Sequence, residues 1–422
     1  MYIRRIILRN LKGFDELDFN FSRPGDGYAG WSVVTGDNAS GKTALLKAIA
    51  LAIVGPDVAR ALQPSLEGWV RRSAPTATIS VEIIANDVDR FAQGRRPEQP
   101  FWSELELKRN GRPITTIAPS NEHRRKKKGP IHGPWSETTP GWFAAGYGPF
   151  RRLYGASPDA QRLMSGPGPI SRFATMFRED ATLGECEIWL KDLSHKRLEA
   201  RPRESQLLDT ILGILNSEFL RNNLTVDRVD SDGLWLRDAS DTVLPLADMS
   251  EGYRAAIAML LDIIRHIVSV YGIEVLSDVG SKGVEVPGVV LIDEIDSHLH
   301  PEWQRQIGFW LKQHFPRLQF IVSTHSPLIC QAADRSGLFH LPALGSDVAP
   351  FQLTDKDYWQ VVKSKVDAVY LSPAFEMKNT RSPRAVAARD KFARLEAKRR
   401  SATLSPSEEE ERRQLELYVD DD

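Results

Sequence analysis

Leu246-Ala247-Asp248-Met249-Ser250-Glu251-Gly252-Tyr253-Arg254-Ala255 joins a polar segment to an apolar run, with a serine and a glycine where that run begins. Taken alone, Ser250 is a helix N-cap: a hydroxyl suits the free N–H groups of a first turn, and Ala255 to Tyr271 is spaced as a packed helix. The stretch gains its weight from its place in the chain. Upstream stands Gly36-Asp37-Asn38-Ala39-Ser40-Gly41-Lys42-Thr43, and downstream stand Val289-Val290-Leu291-Ile292-Asp293-Glu294 and Ile321-Val322-Ser323-Thr324-His325-Ser326.

The first of these follows the apolar run Trp31 to Thr35 and opens an alanine- and leucine-rich segment, so it reads as a buried strand, a glycine loop and a helix ended at Gly55-Pro56. Phosphate binding requires that order, because glycines let backbone N–H groups turn inward on an anion and the helix N-terminus adds its positive dipole end. Gly36, Asp37, Asn38, Ala39, Ser40, Gly41, Lys42 and Thr43 are therefore the expected ATP-binding residues. Lys42 should reach the β and γ phosphates, and Thr43 should offer its hydroxyl to Mg2+.

Val289 to Ile292 predicts a buried strand ending in Asp293-Glu294, two carboxylates at a strand tip beside the phosphate loop. Asp293 is suited to hold a magnesium-bound water and Glu294 to orient or deprotonate the attacking water. His325, after a second apolar strand, is the expected γ-phosphate contact and joins Glu294 as a catalytic residue. His298 and His300 lack a third ligand nearby, and His300-Pro301 reads as a helix N-cap and first position rather than a zinc site.

Composition removes whole classes of function. With 41% hydrophobic and 26% charged residues, the 422-residue chain has the balance of a packed protein and not of a disordered one. Its longest apolar run, Ala255 to Tyr271, is too short to span a bilayer and is interrupted by Asp262, Arg265 and His266. The N-terminus carries charges inside its apolar run and no cleavage site, so a cytoplasmic protein with no membrane partner is expected. Cys186 and Cys330 read as buried free thiols. The net charge is -1, yet residues 1–170 hold 24 basic against 16 acidic side chains, much of the excess lying in Arg124-Arg125-Lys126-Lys127-Lys128. Two readings of this run stand: a solvated loop, or contact with DNA or RNA phosphates.

Ile3 to Phe21 alternates, predicting two strands about a turn at Lys12-Gly13, and Thr78 to Ala85 and Ser103 to Ile117 add strands with a hairpin signal at Asn110-Gly111. Strand character returns at Trp142 to Arg152, Ser171 to Leu220 reads helical, and the segment from Phe339 to Leu353 can finish a sheet. Four parts result: 1–170, an ATPase lobe with the phosphate loop and a β-rich flap; 171–285, a helical lobe with the Ser250 stretch; 286–354, the rest of the ATPase core; and 355–422, a helical extension. In the last, Ser382-Pro383 opens a helix to about Arg400, and Ser405-Pro406-Ser407-Glu408 is a capping box opening a second. The weak apolar face of this hairpin, Ala385, Ala388, Phe392 and Leu395 answered by Leu415 and Tyr418, suits docking on a neighbour or a plain terminal cap.

Together these residues resemble the ABC-type ATPase heads of the RecF, SMC and OLD-like group, over most of residues 1–350. Asn38 in the loop, Ile6 to Phe14, and Ile292 to Pro301 are typical of that group. Tyr147 to Leu153, with Phe173-x-x-Met176-Phe177-Arg178-Glu179-Asp180-x-x-Leu183 and Trp189 to Leu193, looks like ATPase subunits of bacterial antiphage systems of the Septu or retron-associated kind. The resemblance implies an α/β fold: an ABC-type P-loop ATPase head with a β-rich N-terminal subdomain, a helical signature subdomain and a C-terminal helical hairpin. It also implies that Ser250, Glu251 and Gly252 act in trans, reaching the γ-phosphate held by Lys42 of the opposite subunit, so that the chain works as a homodimer or a higher oligomer of dimers. Glu251 and Tyr253 replace a glycine and a glutamine of the transporter signature, and His300 stands where many relatives keep an aspartate. No Q-loop glutamine is evident; Arg151 or Arg152, in that region, is expected to contact phosphate, nucleic acid or a partner.

The function expected from this is an ATP-hydrolysing regulatory subunit that senses or binds nucleic acid and controls a separate effector nuclease in antiphage defence. OLD-like relatives carry a nuclease domain after the head, whereas about a hundred residues follow His325 here and Asp420-Asp421-Asp422 reads as a frayed tail. The alternative is a RecF-like DNA-binding repair ATPase with no nuclease partner. The β-rich flap and basic run disfavour a transporter head, and the lack of heptads between the phosphate loop and Ser250 disfavours SMC arms.

Overall fold

The computed structural model describes residues 1–422 except 26, 94, 110–114, 120–127, 137–140, 165–167, 277–282, 417 and 419–422. The alternating N-terminal segment forms β1 (Tyr2–Leu11) and β2 (Phe14–Asn20), an antiparallel hairpin turning at Lys12 with φ 49°. On the far side of β1 lie β4 (Thr76–Ile84), β5 (Phe101–Arg109) and β6 (Thr115–Pro119), completing an antiparallel sheet in the order β2-β1-β4-β5-β6. The Asn110-Gly111 turn lies outside the described residues, but the strands on either side of it pair antiparallel.

The second sheet holds the glycine loop and the paired carboxylates. It orders β14 (Phe351–Gln352), β13 (Leu338–Leu341), β3 (Gly30–Gly36), β12 (Leu318–Ser323), β11 (Gly288–Ile292) and β7 (Ala144–Tyr147), with only the β13–β14 pair antiparallel. β3, β11 and β12 are buried almost throughout, as parallel strands covered on both faces must be, so each reads as a continuous apolar run. The register sets Tyr147, Ile292 and Val322 in one row, which brings the segments following β7, β11 and β12 to one edge of the sheet. β12 stands between β3 and β11, so the strand that carries the paired carboxylates is not the immediate neighbour of the phosphate loop's strand.

Helix Lys42–Leu62 fills the space between the two sheets, burying Leu45, Leu46, Ile49 and Ile53. Its regular course stops at Gly55, where the sequence placed the end of the helix, and a second short helix follows directly. Gly55 takes φ 83° and breaks the helix beside the Trp135 ring, and Pro56, placed at the start of a new turn, restarts it to Leu62. On the opposite face of the parallel sheet lie helices Glu185–Leu198, Pro202–Asn216 and Glu251–Tyr271, sharing a core that includes Leu190, Ile211, Ile257 and Val290. A three-stranded ribbon, β8 (Thr225–Asp230), β9 (Gly233–Arg237) and β10 (Val243–Pro245), leads into the Ser250 stretch.

The C-terminal hairpin forms as helices Pro383–Ser401 and Pro406–Glu416, and its capping box is complete: Ser405 N–H donates to Glu408 Oε2 at 2.9 Å and Glu408 N–H to Ser405 Oγ at 3.2 Å. Ala388 and Leu395 are buried between the helices. Cys186 and Cys330 are buried and unpaired. Among the described residues no helix is long and apolar enough to cross a membrane.

Candidate ATP site

The loop from Gly36 to Thr43 joins β3 to the helix beginning at Lys42. Asp37, Asn38 and Ala39 are exposed at its crest, and Ser40 is buried beneath them. Gly41 adopts φ 102° with the Phe14 ring against it; a Cβ there would come within 2.6 Å of that ring, so both the conformation and the room require glycine. Lys42 is buried and its Nζ donates to the carbonyls of Gly36 at 2.8 Å and Asp37 at 2.9 Å, drawing the ammonium across the loop. Burial lowers its pKa, opposed chiefly by the nearby charges of Asp293 and Glu294.

Those carboxylates follow β11. Asp293 is buried; its N–H donates to Tyr147 O at 2.8 Å and its Oδ1 accepts from Ser323 Oγ at 2.5 Å. Its other oxygen, Oδ2, is buried without a hydrogen-bond partner, as is Ser40 Oγ. An anionic oxygen left unpaired in a low-dielectric site suits a cation, so this donor set fits Mg2+, with Thr43 offering a hydroxyl from the start of the loop helix. Glu294 has φ 46°, a conformation a glutamate rarely takes; its N–H is held by Ser323 Oγ at 2.8 Å and its Oε2 accepts from Ser297 Oγ at 3.2 Å.

His325 comes just after β12, partly buried. Its backbone N–H reaches Asp296 Oδ1 at 3.4 Å, and the preceding Thr324 Oγ1 donates to the same oxygen at 2.5 Å, so Asp296 ties the histidine segment to the carboxylate segment. Asp296 and Ser323 were not singled out from sequence. The signal was weak: Ser323 sits inside the His325 stretch and Asp296 two residues after Glu294, but nothing in the spacing says that either side chain bonds across strands.

Arg151 corrects an expectation. It makes no surface for phosphate, nucleic acid or a partner; it is buried, and its guanidinium donates to the carbonyls of Gly148 and Asp293, each at 2.9 Å, and of Glu294 at 3.1 Å. Longer bonds run to Ile295 and Ser297 at 3.4 and 3.3 Å, so one side chain splints the turn that follows β11. Burial pulls its pKa down to about 10, which leaves it charged. Arg152 remains exposed near Phe150. Arg124, Arg125, Lys126 and Lys127 lie outside the described residues, as does the side chain of Lys128, and so does the Asp420-Asp421-Asp422 terminus.

Ser250 stands at the N-cap position of helix Glu251–Tyr271, but its hydroxyl makes none of the capping hydrogen bonds expected of it; Gly252 is buried with His298 O against it, and a Cβ at Gly252 would stand 2.3 Å from that carbonyl. Glu251 approaches His298 Nδ1 at 3.7 Å. Ser250 and Gly252 line a cleft of about 270 Å³ with Tyr253, His298, His300 and Trp303, and no residue of the phosphate loop contributes to it. His300 Nδ1 accepts from Glu302 N–H at 3.3 Å, the N-cap expected of it. Further along the same helix, buried Asp262 accepts from Tyr147 Oη at 3.0 Å and pairs with Arg265 at 2.7 Å. Burial raises the carboxyl's pKa, but its pairing with His266 and Arg265 outweighs it and holds it below the usual range.

A glycine loop between a central parallel strand and a helix, with carboxylates at the tip of β11 and the Ser250 helix on the other face, gives the chain the α/β architecture of an ABC-type P-loop head. Two family models match, one described as "AAA domain" over residues 5–130 and one as "AAA domain, putative AbiEii toxin, Type IV TA system" over 190–331. The chain is similar to the Septu protein PtuA of Bacillus mycoides (strain KBAB4), 24% identical over 78% of this chain and 38% of that protein. It is similar also to the "Retron Ec83 probable ATPase" of Escherichia coli, 34% identical over 28% of this chain and 21% of that one. The chain thus spans less than half the length of these relatives. Among solved structures, an SMC head bound to the C-winged helix domain of ScpA superposes with a TM-score of 0.49 at 16% identity, covering 84% of this chain and 99% of that one.

Proposed function

We propose that this protein binds and hydrolyses ATP with Mg2+ as the regulatory subunit of an antiphage system, and that it does so in head-to-tail pairs controlling a separate effector nuclease. The observation that carries the reading is the separation of two half-sites. Ser250 and Gly252 line an open cleft to which the phosphate loop contributes nothing, while the loop faces Asp293 and Glu294. A second copy, turned end for end, completes both halves at once, which is the isologous arrangement of a two-fold pair.

Within each site Lys42 exchanges its two carbonyl acceptors for β and γ phosphate oxygens as ATP enters. Thr43 and Asp293 would hold Mg2+, which when bound neutralises charge on those phosphates. Glu294, braced by Ser323 and Ser297, orients the attacking water and takes its proton, and His325 contacts the γ-phosphate. Ser250 and Gly252 of the partner close over the γ-phosphate, so turnover follows pairing. The basic run Arg124 to Lys128 offers charge for nucleic acid, and the likeness to the Septu protein PtuA and the retron ATPase supports the defence setting.

The test compares ATP turnover of the native protein with Glu294→Gln, alongside isolation of the native complex from its host. Turnover should fall by about a hundredfold or more with ATP binding kept, as expected when a general base is lost. Equal turnover would refute the assigned base, and a complex without a nuclease would refute the effector role.

A further inference from the structure

We propose that Arg221 is a further contact, delivered across the pair together with Ser250 and Gly252, to the phosphates of the nucleotide held by the opposite copy. This rests on the head-to-tail pairing proposed above and extends it to a residue outside every motif.

Arg221 lines the same cleft as Ser250, on a short turn between helix Pro202–Asn216 and β8. The turn is pinned from several sides. Trp310 Nε1 donates to Ser217 O at 2.8 Å and Trp303 Nε1 to Phe219 O at 3.0 Å, while the buried Phe219 ring lies 5.6 Å from Trp303 and 4.6 Å from Trp310. Beyond Arg221, Asn222 and Asn223 take φ 57° and 55°, and Asn222 Nδ2 donates to Tyr253 Oη at 3.2 Å, fastening the turn to the helix that Ser250 opens.

On this rigid mount the guanidinium is left without a counter-charge. Arg221 Nε is buried and has no hydrogen-bond partner, and among the described residues no carboxylate forms an ion pair with Arg221. Glu302 lines the cleft as well but does not pair with it. An arginine whose approach is fixed and whose charge is unspent, set beside a serine hydroxyl and a helix N-terminus, presents a donor fork for a tetrahedral anion. Its own phosphate loop supplies none, because that loop is not part of the cleft. The nucleotide phosphates carried in by a paired copy meet the description.

The experiment uses full-length chains mixed in equal amounts. Arg221→Met keeps the length and packing of the side chain and removes its charge, and Lys42→Ala disables the phosphate loop. Each alone should lose at least about tenfold in ATP turnover, and Arg221→Met should bind a fluorescent ATP analogue within about twofold of native. In the mixture half of the pairs are mixed, and each holds one site with Lys42 opposite an intact Arg221, so turnover should return to about a quarter of native. Arg221→Lys should retain more turnover than Arg221→Met. Native-like turnover of Arg221→Met would overturn the proposal, since it would leave only a packing role. So would failure of its mixture to recover while a mixture of Ser250→Arg with Lys42→Ala does. If neither mixture recovers, the head-to-tail reading falls and the inference falls with it.

Discussion

The Ser323 hydroxyl donates to Asp293 Oδ1 at 2.5 Å and accepts the N–H of Glu294 at 2.8 Å on the same oxygen. One hydroxyl at the end of β12 thereby fixes both carboxylate residues at the end of β11. Ser323→Ala should lower ATP turnover by about ten- to a hundredfold while ATP binding changes little, because it misplaces groups without removing them. It should also cost about 1–3 kcal/mol of stability, the usual penalty for leaving buried partners unsatisfied. Turnover assays and urea denaturation check both.

Arg151 shares one guanidinium among the carbonyls of Gly148, Asp293 and Glu294. A lysine has the charge but not the planar fork, so Arg151→Lys should lose about 2–4 kcal/mol of stability and most of the turnover, and Arg151→Ala should express poorly. An Arg151→Lys protein with native turnover and an unchanged denaturation midpoint would remove Arg151 from this role.

Gly252→Ala places a methyl 2.3 Å from where His298 O now stands. The helix start must then move off the His298 segment, and ATP-dependent pairing should weaken by about tenfold or more. Binding of ATP to the phosphate loop should stay near native, as Gly252 is not part of it. Sedimentation with and without ATP reads the first quantity and nucleotide fluorescence the second.

Stability should fall on mild acidification. Burial lowers the pKa of His266, His314 and His340 below the ordinary value of 6.5, so the folded protein keeps them neutral where the unfolded chain takes up protons. Their contribution is present above pH 6.5 and is lost as pH falls through the depressed folded values. The unfolding free energy should be smaller at pH 5.5 than at pH 7.5, and His266→Gln should flatten that difference. A pH-independent denaturation midpoint over this interval would contradict it.

The strand, loop and helix about Lys42 were legible because their chemistry is local: glycine placement, an apolar strand and a helix start lie within a few residues of one another. Both N-terminal strands and the C-terminal capping box were legible for the same reason. What could not be read was lateral. Nothing in the chain order says that β12 lies between β3 and β11, because parallel neighbours are set by crossovers and not by sequence adjacency. Arg151 was misread on that account: an arginine beside a motif looks like a ligand contact until the sheet shows that the turn after β11 folds over it. The restart at Gly55-Pro56 was hidden too, since Gly-Pro ends an isolated helix but can be bridged where Trp135 packs into the break.

Tyr147 holds Asp293 by its backbone and the Ser250 helix by its phenol, through the hydrogen bond to Asp262. A tyrosine is a short rod with two torsions, so helix Glu251–Tyr271 cannot slide without parting a buried bond or shifting the strand end that aims Asp293. On the proposed pairing, pressure applied where that helix begins would be relayed to the same subunit's own carboxylates, so that a copy completing its neighbour's site would itself be mechanically informed of having done so. Two sites linked in this way would keep time together, as escapements on one shaft.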